Sequence, residues 1–205
     1  MKSSHLDNLV RRVPSLVSCR SDVERTFLAI RDAYKTSAKV LVCGNGGSAT
    51  DADHWAGELL KGFCKKRPLS VDDKSKLPLD LSEQLQNALP VIPLTGFPAL
   101  SSAFANDIMS ELVFAQLVWA FGKKGDVFVG ISTSGNARNV CAAAKTARAR
   151  GLFTIAFTGE SGGALMPLSD LTIRVPERET YLIQECHLPI YHCLSMMLED
   201  EFFPV

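Results

Sequence analysis

The chain reads as an α/β protein, a doubly wound parallel sheet of five strands, and three observations predict it. Five short apolar runs rich in β-branched or aromatic residues recur at residues 40–43, 91–94, 127–131, 153–157 and 171–175. Their apolarity is continuous rather than alternating, the pattern of strands buried on both faces. Helical patterns lie between them, and strand alternating with helix gives right-handed crossovers between parallel strands.

In chain order the helical patterns cover residues 21–35, 49–62, 100–121, 138–150 and 181–201. The first and last fall outside the strand alternation, so they are expected to pack together or to form a subunit interface. Residues 61–89 break the rhythm with a long polar stretch containing KKRP, VDDKSK and a short helical patch at 81–88. A connection of that length in a compact α/β domain is functional or partly mobile. The expected organisation is one domain over 1–205, with an N-terminal helical extension over about 1–37 and an inserted loop over about 61–89.

Composition excludes several classes. Lys+Arg and Asp+Glu each number 22, so the formal charge is zero, whereas backbone-reading nucleic-acid binders carry a basic excess. Nucleic acid is therefore not an expected partner, and the runs Lys65-Lys66-Arg67 and Arg11-Arg12 read as solvated surface. Asp7, Arg11 and Arg12 interrupt any apolar leader within the first 17 residues. The uncharged stretch 84–106 is long enough to span a bilayer, but Pro90, Pro93 and Pro98 make it strand and loop. Six cysteines without a CxxC pair suit a reduced, cytoplasmic protein that avoids the membrane.

Three strands end in small-residue loops: GNGGSA at 44–49, STSGN at 132–136 and TGESGG at 158–163. In open parallel sheets ligands sit beyond the carboxyl ends of the strands, and helices that begin there favour anions. The first loop satisfies G-x-G-x-x-A, but a dinucleotide site also wants an acid closing the next strand. Asp72 and Asp73 occupy that distance inside the polar insertion instead, so the dinucleotide reading is set aside. Ser132, Thr133 and Ser134 offer three hydroxyls at a helix start without a GK[ST] sequence, which makes a phosphate-sized cradle and not a Walker loop. His54 and Glu58, four apart on the helix leaving the first loop, share a face and can grip one metal ion. The last helix carries His192, eight residues beyond Gln184.

CGNGGSATDADHWAGEL, ISTSGNARNV, the TGESGG loop and RVP followed by IQECHLPIYH, in that order, resemble the SIS (sugar isomerase) phosphosugar-binding family, and within it the phosphoheptose isomerases. The resemblance implies a flavodoxin-like sheet and an aldose–ketose isomerase acting on D-sedoheptulose 7-phosphate through an enediol. It implies Glu58 as base and His192 as partner acid, and zinc, one per subunit, on His54, Glu58, Gln184 and His192. It places the sugar phosphate on Asn45, Gly46, Gly47, Ser48, Asn106, Asp107, Ser132, Thr133, Ser134 and Gln184. Asp51 and His187 also match, His187 as a structural residue. The pattern departs at Ala137, where the family usually has serine, at Ala49-Thr50, and in the long segment between Glu58 and Asn106. The alternative is a non-catalytic SIS protein, either of the replication-initiator-associating type or a phosphosugar sensor; the retained Glu58 and His192 favour the enzyme. A homotetramer is expected. Eight residues of straight helix separate Gln184 from His192 by about 12 Å of rise, far beyond a metal bond of about 2 Å. Either the helix begins after Gln184 or the two ligands come from different chains.

Overall fold

The computed structural model describes residues 2–204. Five strands, β1 (Val40–Cys43), β2 (Val91–Pro93), β3 (Val127–Ile131), β4 (Phe153–Thr158) and β5 (Leu171–Arg174), form one sheet ordered β2-β1-β3-β4-β5. Every pairing is parallel, with Val40 opposite Val91 on one side and Val127 on the other. β1 and β3 are buried along their whole length, as their continuous apolarity requires.

Alternate residues feed two cores. Val40, Val42, Val127, Val129 and Ile155 face a layer made by α1 (Lys2–Arg12), α2 (Arg20–Lys35), α3 (Gly47–Leu60) and α9 (Thr180–Phe202). Leu41, Cys43, Phe128 and Ala156 face α7 (Val113–Phe121) and α8 (Arg138–Ala149). The terminal helices α1 and α2 pack on α9 within the chain. All six cysteines are free, and five are buried. Among the described residues no helix is long and apolar enough to cross a membrane.

Three expectations need correction. The helix anticipated over 100–121 is broken into α6 (Pro98–Phe104), a π turn over Ala105–Met109, a 3-10 turn over Ser110–Leu112, and α7. None of residues 98–112 is buried, Phe104 alone being half-buried against the α7–α8 core, so little packing holds a continuous helix there, and Met109 is extended. Residues 84–106 accordingly hold a helix as well as the expected strand and loop. In the polar stretch the helical patch lies over α4 (Val71–Ser75) and α5 (Leu79–Ser82) rather than 81–88, and an antiparallel bridge joins Pro68 to Gln86.

The third correction concerns the basic run. Arg67 is fully buried and paired at 2.9 Å with Glu199 of α9, itself 1% exposed. It donates to the carbonyls of Leu59 and Glu58 at 2.7 and 3.0 Å, while Glu199 accepts from the amides of Phe63, Cys64 and Lys65. The start of the polar stretch is thus fastened to α9 and to the last turn of α3.

Candidate active site

The strand order reverses direction between β1 and β3, and the crevice beyond their carboxyl ends is the binding position of doubly wound sheets. The first and second small-residue loops both open there. After β1 the chain turns at Gly46, whose φ of +54° favours glycine, and enters α3 with Ser48 N donating to Asn45 O at 3.0 Å. A side chain at Gly47 would meet the Gln184 amide of α9, which would have to move away from the loop. After β3, Gly135 adopts a φ of +68° and sits against the Gly162 carbonyl, where a Cβ has no room. The third loop therefore braces the second: Leu165 N donates to Gly135 O at 2.8 Å, and Ala164 N to the Asn136 side chain at 3.0 Å. Paired amides of Asn45 and Asn139 tie the first loop to α8 at 2.8–2.9 Å.

Between the loops lies a cavity of about 390 Å³ lined by Asn45, Gly46, Gly47, Ser48, Ser132, Thr133, Ser134, Ala137 and Gln184, with Ile131 and Thr180 completing it. It contains no lysine or arginine. Its donors are hydroxyls, side-chain amides and backbone N–H groups, a set suited to an anion such as a phosphomonoester without a permanent cation.

The second grouping lies farther along α3. His54 Nε2 is 3.0 Å from Glu58 Oε1, and the rings of His54 and His192 cross at 78° with centroids 5.2 Å apart. One ligand atom from each of His54, Glu58 and His192 lies within 4.8 Å of the others. Phe63 packs on the His192 ring at 5.3 Å. Glu58 Oε2 and His192 Nε2 are both buried and have no hydrogen-bond partner among the described residues. Two orphaned polar atoms beside a third ligand fit a metal ion, because a group of this kind is otherwise costly to bury. Burial and the neighbouring His54 push the His192 pKa down, with Glu58 opposing, so the neutral imidazole is favoured. Burial raises the Asp51 carboxyl, opposed by a hydrogen bond from Tyr191.

The chain thus gathers eight of the residues expected to bind substrate into the cradle and three of the four expected metal ligands into the cluster. Gln184 belongs to the cradle. α9 begins before it, at Thr180, and runs through Pro189 to His192, so the alternative in which the helix begins after Gln184 is ruled out. Asn106 and Asp107 line neither grouping; Asn106 donates to Asp107 on the exposed π turn. Sequence reasoning missed Tyr191, whose hydroxyl lies 3.2 Å from Asp51 Oδ1 and 3.0 Å from His54 Nδ1. The signal was available in Asp51, three residues before His54 on one helix face, a carboxylate without an assigned role.

A family profile described as SIS domain matches residues 110–198. A phosphoheptose isomerase from Halorhodospira halophila is 35% identical over 200 residues, covering 96% of this chain and 91% of the relative. One from Histophilus somni is 40% identical over 180 residues, covering 87% and 82%. The solved structure of phosphoheptose isomerase GmhA from Neisseria gonorrhoeae superposes with a TM-score of 0.77 at 29% identity, over 97% of this chain and 96% of that one.

Proposed function

The chain belongs to the phosphoheptose isomerase family, and from that premise we propose that it interconverts D-sedoheptulose 7-phosphate and D-glycero-D-manno-heptose 7-phosphate in heptose biosynthesis. The observation that carries the reading is the buried, unpartnered pair Glu58 Oε2 and His192 Nε2, held on the helices that also form the lysine-free cradle.

The cradle holds the 7-phosphate through Ser132, Thr133, Ser134, Ser48 and loop amides, so binding energy far from the reacting carbons fixes the sugar. Glu58 takes a proton from C1 of the ketose as electrons move onto the C2 oxygen. His192 hands a proton to that oxygen while taking the one on the C1 hydroxyl, so the intermediate is an enediolate whose negative charge passes from the C2 oxygen to the C1 oxygen. Glu58 then returns its proton to C2, leaving an aldehyde at C1 and a hydroxyl at C2. The lowered His192 pKa suits this shuttle, since a neutral imidazole both gives and accepts. Glu58 has one oxygen engaged with His54 and one free, which lets a single carboxylate serve position and chemistry.

His54, Glu58 and His192 would hold zinc, one per subunit, with Gln184 supplied by a second copy, because about 12 Å of helix separates Gln184 from His192. Bound there, zinc polarises the carbonyl and hydroxyl oxygens of the substrate. This division of ligands supports a homotetramer with sites shared between copies. The exposed apolar side chains of Ile108 and Met109, near Asn106 and Asp107, agree with that segment being covered by another copy. A free-cysteine set agrees with a reducing cytoplasm.

In D₂O the ketose phosphate should gain deuterium as it converts to the aldose, and Glu58→Gln should abolish conversion while phosphate binding survives. Tight binding without turnover of any ketose phosphate by the wild type would replace this reading with a sensor.

A further inference from the structure

We propose that Tyr191 is a positioning residue: its hydroxyl couples Asp51 to His54 and keeps the His54 proton on Nδ1, leaving Nε2 as the ligating atom. The inference rests on reading His54, Glu58 and His192 as a metal site. The Tyr191 side chain is buried, with its ring stacked on Trp55 at 24° and a centroid distance of 6.2 Å. Its hydroxyl stands between two groups, 3.2 Å from Asp51 Oδ1 and 3.0 Å from His54 Nδ1, and it has one proton to give.

The direction follows from what each neighbour requires. Asp51 Oδ2 is buried and has no partner among the described residues, so the Tyr191 hydroxyl is the donor its carboxylate has. An ionised carboxylate only accepts, and leaving it without a donor is the costlier arrangement. The Tyr191 proton is therefore directed to Asp51, and the phenol oxygen offers His54 a lone pair. In the metal-free protein Nε2 lies 3.0 Å from Glu58 Oε1 and competes for the imidazole proton. A cation on the His54, Glu58 and His192 cluster excludes a proton from Nε2, and the Tyr191 oxygen then accepts the one on Nδ1. A phenylalanine at 191 would preserve the stack on Trp55 and erase this constraint.

The test uses the full chain stripped of metal by a chelator, with zinc alone as probe. Competition against a chromophoric chelator should show zinc binding to Tyr191→Phe weakened about 10–100-fold, with Asp51→Asn moving in the same direction. The metal-free thermal midpoint should change little. In ¹⁵N-labelled zinc-loaded wild type, His54 Nδ1 should carry the proton and Nε2 none. Should the phenylalanine variant fail to fold, Asp51→Asn gives the zinc-affinity readout. Unchanged zinc affinity in a folded variant overturns the proposal, as does an unprotonated Nδ1 in the zinc-loaded wild type. If the wild type binds no zinc, the metal reading fails and the proposal with it.

Discussion

Replacing Arg67 with methionine tests whether the buried ion pair holds the polar stretch, α3 and α9 together. The substitution keeps an unbranched apolar stem near Phe203, over which the guanidinium now sits at 4.8 Å, and removes every donor. Three bonds disappear: to Glu199 Oε1 at 2.9 Å, to Leu59 O at 2.7 Å and to Glu58 O at 3.0 Å. Removing one member of a buried pair typically costs about 3–5 kcal/mol, because the other charge stays behind uncompensated. Glu199 would retain the amides of Phe63, Cys64 and Lys65, so the lower end, about 3 kcal/mol, is expected. In a chain of this size each kcal/mol moves the thermal midpoint by about 2–4 °C, which gives a fall of roughly 6–12 °C. Urea unfolding of the metal-free chain, followed by circular dichroism, measures the loss directly. A loss under about 1 kcal/mol would equal that of an exposed pair and would refute the reasoning.

Two further perturbations reach the cradle and the core. Ser132→Ala/Ser134→Ala removes two hydroxyl donors to an anion, each worth about 1.5–3 kcal/mol; calorimetry should show sugar-phosphate affinity down by two orders of magnitude or more, with the fold intact. His187 is buried against Phe157, with its Nε2 3.4 Å from Thr158 O, and burial lowers its pKa from the usual 6.5 to about 4. Between those values the unfolded chain binds the proton and the folded chain does not, so stability falls as pH drops through the window and is fully kept above 6.5. The slope is up to about 1.4 kcal/mol per pH unit, and His187→Gln should flatten that part of the denaturation profile.

The strands were legible because burial on both faces leaves a mark no other element leaves at that length: β1 and β3 match the apolar runs residue for residue. The cradle was legible for a related reason, since close backbone approach demands glycine and anion binding demands hydroxyls, and both are visible as residue types at strand ends. Arg67 was not. A buried arginine and a solvated one have the same local sequence, and the partner that decides between them, Glu199, lies 132 residues away. The break after Phe104 was hidden in the opposite way: residues 98–112 carry a helical apolar pattern of which only Phe104 meets a core, half-buried against the α7–α8 layer. Asn106 and Asp107 matched a motif, but a motif places residues on a chain and does not say which copy they serve.

The same limit explains why the expected four metal ligands divide. α3 and α9 pack together, and each brings one end to the cradle and a more distant turn to the cluster. From Gly47 to Glu58 is eleven residues, about 16 Å of rise, and from Gln184 to His192 about 12 Å. Each separation lies within one helix, α9 carrying Pro189 on the way, so neither closes within a chain without unwinding a helix against its packed neighbour. Sequence spacing therefore specifies two half-sites at fixed distance, one for the phosphate and one for the proton transfer. A substrate that touches both within one chain has to span about that distance. The α3–α9 pair is thus a spacer between the two, and Arg67, bonded to Glu199 of one helix and to the Glu58 and Leu59 carbonyls of the other, fastens the pair at the Glu58 end.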